Sequence, residues 1–329
     1  MRIRLRFSLV MRVSVEIPAQ FRHTKDGKAP TMKTTTIGGR MKISTLGLGC
    51  ATFGREIDEA AAHVLLDYAV ARGITFFDTA LSYGEGVSEG ILGSWVASRH
   101  PPADSFVLAT KIMPPYQPAR MAEAVDGCLR RLRVPAIDLL FLHRWDATAE
   151  SPATLAALDA LVRTGKVRML GACNYSRTQL ETGLALQAQH GLELFRVAQN
   201  NHNLAVSDIS PEFRRFCAER EIAIVTYSPL GAGFLTGKHR RGVQPGSRFA
   251  LVPGHQGIYF HEAAQRRLGH LEQVAARANQ SQTCLALAWA LHQPGVASVL
   301  VGGRTPAHID QALAAQDFDA PALFAELDA

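Results

Sequence analysis

The feature that most constrains the fold is a regular alternation between short apolar runs and longer stretches of helical period. Eight runs rich in β-branched and other apolar residues occur after residue 43, separated by segments long enough to cross back over a sheet. In chain order the predicted strands are Thr45–Cys50, Thr75–Thr79, Phe106–Lys111, Ile137–His143, Val167–Cys173, Arg196–Gln199, Ile222–Ser228 and Ala297–Val301. This alternation predicts a closed (β/α)8 TIM barrel.

The segments between the strands carry the punctuation of helices, such as a glycine after the last turn. The clearest predicted helices are Asp58–Arg72, Pro118–Leu132, Ser151–Thr164, His261–Ala278 and Ser281–His292. The last two lie in the interval 229–296, which is oversized for one crossover. A long loop plus extra helices before strand eight is therefore expected at the barrel mouth.

An N-terminal hairpin over Thr34–Ile43, with Gly38 and Gly39 at its turn, is expected to plug the bottom of the barrel. The structural alternative is a doubly wound Rossmann sheet. No G-x-G-x-x-G motif follows a strand, and Gly84-Glu85-Gly86 lacks the third glycine. The sequence therefore favours the barrel.

The positive charge of the chain belongs mostly to its first 31 residues. They hold seven Lys/Arg against two Asp/Glu, which accounts for +5 of the net +6. A nucleic-acid partner is therefore not expected. We predict that residues 1–31 are a disordered N-terminal extension, or precede a true start at Met32, with a targeting peptide as the alternative. Residues 32–329 are predicted to form one barrel domain.

The remaining composition points to the cytoplasm. No apolar run approaches the roughly 20 residues that span a bilayer, so no membrane partner is expected. Five cysteines are scattered without a C-x-x-C pair, which indicates neither a disulfide framework nor a cysteine zinc site. We therefore predict a cytoplasmic protein with no metal site.

Polar side chains end three neighbouring predicted strands. Asp78 ends the second strand, which runs into Tyr83, while Lys111 ends the third and His143 the fourth. In a TIM barrel the active site forms at the carboxyl ends of the strands. These four side chains are therefore expected to meet at one rim.

The four residue types suit proton transfer coupled to hydride transfer. A phenol with an ordinary pKa near ~10 is a poor acid–base catalyst at neutral pH. An ammonium from Lys111 within about 4–6 Å would favour the phenolate and lower the pKa of Tyr83, while Asp78 holds the ammonium. His143 would donate to the substrate oxygen and polarise the carbonyl. Each residue alone is ordinarily structural, and the joint pattern makes the prediction.

Several motifs together resemble the signatures of the aldo-keto reductases. They are Gly73–Ala80, Tyr83–Gly86, Ser88-Glu89, Ala109–Lys111, Asp138–Arg144, Gly171–Asn174, Tyr227–Leu230 and Gly233–Lys238. The similarity covers nearly everything after the N-terminal tail. It implies an NADP-dependent oxidoreductase in which Tyr83 is the general acid or base, Lys111 and Asp78 tune it, and His143 contacts the substrate oxygen.

The resemblance also implies that NADPH lies across the barrel mouth. Tyr227 matches the residue that stacks on the nicotinamide, and Asn174 and Gln199 match those that hold its carboxamide. An aromatic face and amide groups suit that flat, polar ring. Cys173 stands where the family usually has serine, which weakens one carboxamide hydrogen bond.

Residues 231–238 form a glycine-rich segment that superficially resembles a P-loop. Ala232 and His239 stand where that motif needs glycine and a magnesium-binding hydroxyl, so ATP binding is not expected. Backbone N–H groups and a lysine can instead cradle a pyrophosphate. The family match assigns this role to Ser228, Leu230, Gly233 and Lys238.

The turn after the last strand contains Gly302 and Arg304, which are predicted to bind the cofactor. A guanidinium grips phosphate oxygens bidentately, so Arg304 favours NADPH over NADH. Arg248 resembles a second family residue that packs over the cofactor. The adenine contacts depart from the family, because His308 replaces Gln or Glu and Ala312 replaces Asn. His308 is still expected to stack on adenine or to donate to it.

The expected substrate is a small carbonyl or alcohol, with reduction as the default direction. Phe53, Tyr116 and Trp145 are candidate pocket walls, and simple loop packing is the alternative for each. A cofactor-binding regulatory subunit that resembles the potassium-channel β subunits is the alternative function. A sugar-phosphate isomerase or aldolase on the same barrel would leave Tyr227 and Arg304 unexplained. Neither the substrate nor the oligomeric state follows from the sequence.

Overall fold

A computed structural model describes residues 32–102 and 105–329. The described chain begins with an antiparallel hairpin formed by β1 (Thr34–Ile37) and β2 (Met41–Ser44). The hairpin prediction is therefore confirmed. The predicted disordered extension, residues 1–31, lies outside the described residues.

Eight parallel strands close into a barrel in chain order, with the last strand paired to the first. Their bounds are β3 Leu46–Gly49, β4 Phe76–Asp78, β5 Val107–Ile112, β6 Ile137–Leu142, β7 Val167–Cys173, β8 Phe195–Asn201, β9 Ala223–Tyr227 and β10 Val296–Gly302. Every strand lies where the sequence predicts one, with ends that differ by at most two residues. The (β/α)8 barrel is confirmed, and the Rossmann alternative is wrong.

Helices follow the strands and surround the barrel. Their bounds are α1 Glu59–Ala71, α2 Val87–Arg99, α3 Pro118–Leu132, α4 Pro152–Arg163, α5 Arg177–Gln189, α6 Pro211–Glu219, α7 Arg248–Leu251, α8 Gln256–Tyr259, α9 Glu262–Arg277, α10 Gln282–Leu291, α11 Pro306–Gln316 and α12 Pro321–Asp328. The extra helices α7–α10 lie in the long interval before β10, as predicted. In residues 32–102 and 105–329, no helix is both long and apolar enough to cross a membrane.

The hairpin belongs to the core inside the barrel. Ile37 and Ile43 are buried in one cluster with Phe76 and Met169, whose side chains come from β4 and β7. Arg40, at the hairpin turn, donates to the carbonyl of Arg168 at the amino end of β7, 2.8 Å away. The hairpin therefore covers the amino ends of the strands, which leaves the carboxyl ends for a site.

The outer core joins the strands to the helices, and it is close-packed where α2 meets α3. A Cβ placed on Gly93 of α2 would lie 1.9 Å from the carbonyl oxygen of Arg131. That distance is far inside van der Waals contact and involves backbone, which cannot rotate away. Gly93 is therefore required by the approach of the two helices.

We expect Gly93→Ala to lower the free energy of unfolding by about 1–3 kcal/mol or more, because α2 must move away from α3. Gly90→Ala is the matched control on the same helix, since a Cβ there meets nothing within 4 Å. The control should be stabilising by about 0.5–1 kcal/mol, from helix propensity alone. Urea unfolding measures both, and equal effects would contradict this account of the packing.

Candidate active site

Four polar side chains meet at the carboxyl ends of β4, β5 and β6. The Lys111 ammonium is hydrogen-bonded to the Asp78 carboxylate and lies 2.9 Å from the carbonyl oxygen of Thr79. Its Nζ is 3.5 Å from the Tyr83 hydroxyl, and the Tyr83 ring packs edge-on against His143, with centroids 5.9 Å apart. The structure thus brings the four residues together as the sequence predicts.

Tyr83 reaches this cluster because its loop is tied to the strands. The backbone N–H of Leu81 donates to the carbonyl of Lys111 at 3.0 Å, and that of Tyr83 donates to Ala80 at 3.0 Å. The loop ends at Gly86, the residue before α2, with a left-handed φ of 92°. A Cβ on Gly86 would lie 2.5 Å from Nε of Arg131, so only glycine permits this approach.

Behind the tyrosine loop lies a buried ion pair that sequence reasoning missed. The Glu89 carboxylate is fully buried and accepts from Arg131 Nε at 2.7 Å and from the Thr110 hydroxyl at 2.6 Å. Thr110 precedes Lys111 on β5, so this pair connects α2, α3 and the lysine strand. In the sequence, Glu89 is visible only as a carboxylate in the motif that follows Tyr83. Only the fold shows that it pairs with Arg131 and Thr110.

Burial is the largest single influence on the pKa values of Lys111, Tyr83 and His143. Burial disfavours the ammonium of Lys111, but the Asp78 carboxylate together with Tyr83 and Cys173 outweighs burial and raises the pKa of Lys111. Burial raises the pKa of Tyr83 to about 12, and the opposing effect of Lys111 is smaller. Lys111 does favour the phenolate, but the lowered pKa expected from the sequence is wrong, because burial of the phenol outweighs the charge of Lys111.

His143 is held in its neutral form. Burial, followed by the charges of Lys111 and Arg144, lowers the pKa of His143 to about 3. Its Nδ1 lies 3.3 Å from the Ser82 hydroxyl. The amide of Asn174 donates to the His143 carbonyl at 3.0 Å, which ties the end of β6 to the end of β7.

The residues predicted to hold a carboxamide are hydrogen-bonded to the cluster. The Gln199 amide nitrogen donates to the Asp78 carboxylate at 2.9 Å, and the thiol of Cys173 lies 3.5 Å from the Gln199 amide oxygen. The Tyr227 hydroxyl donates to the Asn174 amide oxygen at 2.6 Å. Residues from β7, β8 and β9 therefore continue the polar rim that begins at β4.

The glycine-rich segment after β9 forms a concave turn. Ser228 and Ala232 have left-handed φ angles, as do Gly231 and Gly233. A Cβ on Gly233 would lie 3.0 Å from both Cε and Nζ of Lys238, so the lysine chain lies directly against this glycine. Leu230, also predicted to contact the cofactor, immediately precedes the turn.

The three residues predicted to contact the phosphate or the adenine lie on the long loop or just after β10. Nη1 of Arg304 donates to the carbonyl of Gly246 at 3.1 Å, and Nη1 of Arg248 lies 3.3 Å from the Glu56 carboxylate. Backbone N–H groups of residues 304 and 305 donate to Nδ1 of His308, each at 3.3 Å, so its other nitrogen carries the proton. Gly302 is exposed at the end of β10.

The three candidate pocket walls lie in different environments. Phe53 and Tyr116 are fully buried, and the Tyr116 hydroxyl donates to the carbonyl of Arg144 at 2.7 Å. Trp145 is only partly buried, and its indole N–H donates to Glu150 at 2.9 Å. Of the three, Trp145 has the most surface available for a ligand.

The fold and this rim define a (β/α)8 barrel protein with a polar centre at the carboxyl ends of its strands. The chain belongs to the aldo/keto reductase family, whose model matches residues 45–324. This membership supports oxidoreductase activity and confirms the resemblance found in the sequence.

Curated relatives agree with this assignment. The chain is 29% identical over 302 residues to Protein tas of Escherichia coli (strain K12), covering 80% of this chain and 87% of that protein. It is 29% identical over 294 residues to Aldo-keto reductase ausK of Aspergillus calidoustus, covering 82% and 74%. A probable voltage-gated potassium channel subunit beta of Arabidopsis thaliana is 28% identical over 291 residues, covering 84% and 88%.

The low pKa of His143 predicts a pH dependence of stability. As the pH falls from 6.5 toward 3, the unfolded chain binds a proton at this imidazole that the folded chain does not. The contribution of His143 to the free energy of unfolding is therefore fully present above pH 6.5. It is lost as the pH falls below 6.5, by at most about 1.4 kcal/mol per pH unit. Urea unfolding at several pH values should show that His143→Asn reduces this slope. The exposed His190→Asn is the control, and an equal slope in both variants would argue against the buried neutral imidazole.

Proposed function

We propose that this protein transfers hydride between NADPH and a small carbonyl or alcohol substrate, with Tyr83 as the proton donor and acceptor. One observation carries the proposal. The buried Lys111 ammonium contacts both the Asp78 carboxylate and the Tyr83 hydroxyl at the mouth of the barrel. The reductase name of Aldo-keto reductase ausK, a relative over most of the chain, supports the same chemistry.

The turn after β9 fits the pyrophosphate of the cofactor. A Cβ at Gly233 would meet the end of Lys238, so the bare glycine and the ammonium border the same space. The buried Nε2 of His239 is without a hydrogen-bond partner among the described residues and lies 3.9 Å from that Cβ position. Such a concentration of donors suits an anion. Ser228, Leu230, Gly233 and Lys238 are the residues proposed to hold it.

A concentration of positive charge supports NADPH in preference to NADH. Burial and the nearby guanidinium of Arg304 lower the pKa of Lys238, as expected for two cations near each other. A phosphate between them would relieve this repulsion. Arg248 is already paired with Glu56, so Arg304 is the stronger candidate for the 2′-phosphate. His308, whose Nε2 carries the proton, is proposed to contact the adenine, and Gly302, at the exposed end of β10, is also proposed to contact the cofactor.

Tyr83 is proposed to act as the acid in the reducing direction. When bound, NADPH supplies the hydride. A pKa of about 12 keeps the Tyr83 hydroxyl protonated at neutral pH, so it can give its proton to the oxygen of a carbonyl substrate. Lys111 then stabilises the phenolate that remains, and Asp78 keeps the ammonium in place.

His143 is proposed to orient the substrate oxygen. Its neutral ring carries one proton, and a hydrogen bond from the Ser82 hydroxyl to Nδ1 would leave that proton on Nε2. Nε2 could then donate to the substrate oxygen while Tyr83 approaches the same atom. Asn174 and Gln199 would present their amides to the carboxamide, beside the aromatic face of Tyr227 and the thiol of Cys173. The partly buried Trp145 is proposed as a wall of the substrate pocket, with Phe53 and Tyr116 as buried supports.

A regulatory subunit that binds the cofactor and acts through a partner is the second candidate. The similarity to the Arabidopsis thaliana potassium channel subunit beta favours it. An assay of aldehydes and ketones that monitors the change in nicotinamide absorbance distinguishes the two functions. Turnover supports the enzyme, and cofactor binding without turnover supports the regulator. A cytoplasmic location and the lack of a nucleic-acid partner stay predictions from the sequence.

We expect Tyr83→Phe to reduce turnover by about 10²-fold or more, because it removes the ionisable oxygen while keeping the ring. The dissociation constant for NADP+ should change little. Tyr68→Phe is the matched control, since that hydroxyl is paired with Asp310 away from the barrel mouth. Steady-state kinetics and a fluorescence titration provide the two readouts. Near-normal turnover of the Tyr83 variant would overturn its assignment.

Arg304→Ala should weaken NADPH binding by about 10- to 100-fold and NADH binding much less, because charge-assisted hydrogen bonds contribute about 1.5–3 kcal/mol. Quenching of protein fluorescence measures both affinities. Arg248→Ala is the comparison variant, since Arg248 lies on the long loop that Arg304 contacts and already has a carboxylate partner. Equal losses for the two cofactors in Arg304→Ala would mean that this residue only supports the loop.

A further inference from the structure

A second concavity lies among the helices, and its lining includes none of Asp78, Tyr83, Lys111 and His143. It has a volume of about 600 Å³, within the range of small-molecule sites. We call it the α6–α10 groove, and the lining residues that matter are His202, Arg214, Arg267, Trp289, Gln293 and Asp328. None of the four residues at the proposed reaction centre lines it, so a ligand in this groove would be distinct from the substrate.

Arg214 is a half-buried cation in this groove, and its partners are neutral. Its Nη2 donates to His202 Nε2 at 2.9 Å and to the Gln293 amide oxygen at 2.8 Å, and its Nη1 donates to the Pro294 carbonyl at 2.7 Å. No carboxylate oxygen lies within 4 Å of it anywhere in residues 32–102 and 105–329. Burial lowers the pKa of Arg214, and Asp328 opposes this only from a distance. A half-buried guanidinium whose hydrogen-bond partners are all neutral gains from pairing with an anion.

His202 does not supply the missing negative charge. A guanidinium can only donate, so His202 Nε2 must accept, and Nδ1 carries the proton and donates to the Ser207 hydroxyl at 2.6 Å. Burial and the charge of Arg214 lower the pKa of His202 to about 4. The ring is therefore neutral at physiological pH.

The rim of the groove adds a second cation and one carboxylate. Nη1 of Arg267 approaches the carbonyl of Leu327 at a long 3.4 Å, and the Asp328 carboxylate accepts from the Trp289 indole at 2.8 Å. The lining thus carries two guanidiniums and one carboxylate. Its net charge of about +1 matches one negative charge on a ligand.

The other walls are apolar. Leu204, Ile209 and Leu327 line the groove, and the His202 ring packs on Trp289 with centroids 4.9 Å apart. We propose that the α6–α10 groove binds a small organic carboxylate with a compact apolar or aromatic body. The carboxylate pairs with Arg214 and Arg267, whose planar guanidiniums suit its geometry, and the body packs on the apolar walls.

Benzoate is the probe that tests this site, with calorimetric titration of the full chain as the measurement. We expect one saturable site for benzoate. Benzyl alcohol, the uncharged analogue, and inorganic phosphate, which lacks the apolar body, should each bind at least about 10-fold more weakly. Phosphate binding as tight as benzoate binding would overturn the carboxylate class, and the lack of saturable benzoate binding would overturn the site.

The variant Arg267→Gln tests whether benzoate binds in the α6–α10 groove. Arg267 is exposed, so it can be changed without disturbing the hydrogen bonds around Arg214. The substitution should weaken benzoate binding by at least about 10-fold. Arg266→Gln is the matched control on the same helix, since Arg266 pairs with Glu262 and does not line the groove. Its benzoate affinity should equal that of the wild type, and thermal unfolding should show that both variants fold. Equal benzoate affinities in the two variants would place the binding elsewhere, for example at the barrel mouth, and would overturn the proposal.

Discussion

The buried ion pair between Lys111 and Asp78 is the interaction on which the rest of the site depends. Two charges with almost no solvent contact are tolerable only when they are paired and further hydrogen-bonded. The carbonyl of Thr79 supplies one such bond, and Gln199 supplies another from β8, on a more distant part of the barrel wall. The closed barrel is therefore required for the pair, because only closure brings these strands around one point.

From this pair the rim extends in two directions. On one side, Tyr83 lies beside the ammonium, and the Glu89–Arg131 ion pair braces its loop from behind. On the other side, Gln199 continues the hydrogen bonding toward the glycine-rich turn and the long loop. Asp78 is bonded to Lys111 on the side proposed to transfer protons and to Gln199 on the side proposed to hold the cofactor. A change at this carboxylate would therefore disturb both.

Burial sets the protonation states of Tyr83 and His143 more than the neighbouring charges do. It raises the pKa of Tyr83 even though an ammonium lies beside the hydroxyl, and it lowers that of His143. Both groups are consequently neutral proton donors at physiological pH. This state suits the reduction of a carbonyl, which needs a proton on its oxygen, and it supports the reducing direction that we propose. The same effect keeps His202 neutral, so its ring adds no charge beside Arg214 in the α6–α10 groove.

The sequence by itself determined the eight strands, the hairpin and the meeting of Asp78, Lys111 and His143. Apolar periodicity marks a strand locally, and consecutive parallel strands must end side by side. Only the tertiary structure decided the partners of Glu89, the direction of the Tyr83 pKa shift and the charge of the α6–α10 groove. Each of these depends on residues far apart in the chain, such as Arg214 and Gln293, and on how much water folding removes. A local sequence pattern encodes neither the contacts between distant residues nor the removal of water, because both exist only after the elements have packed.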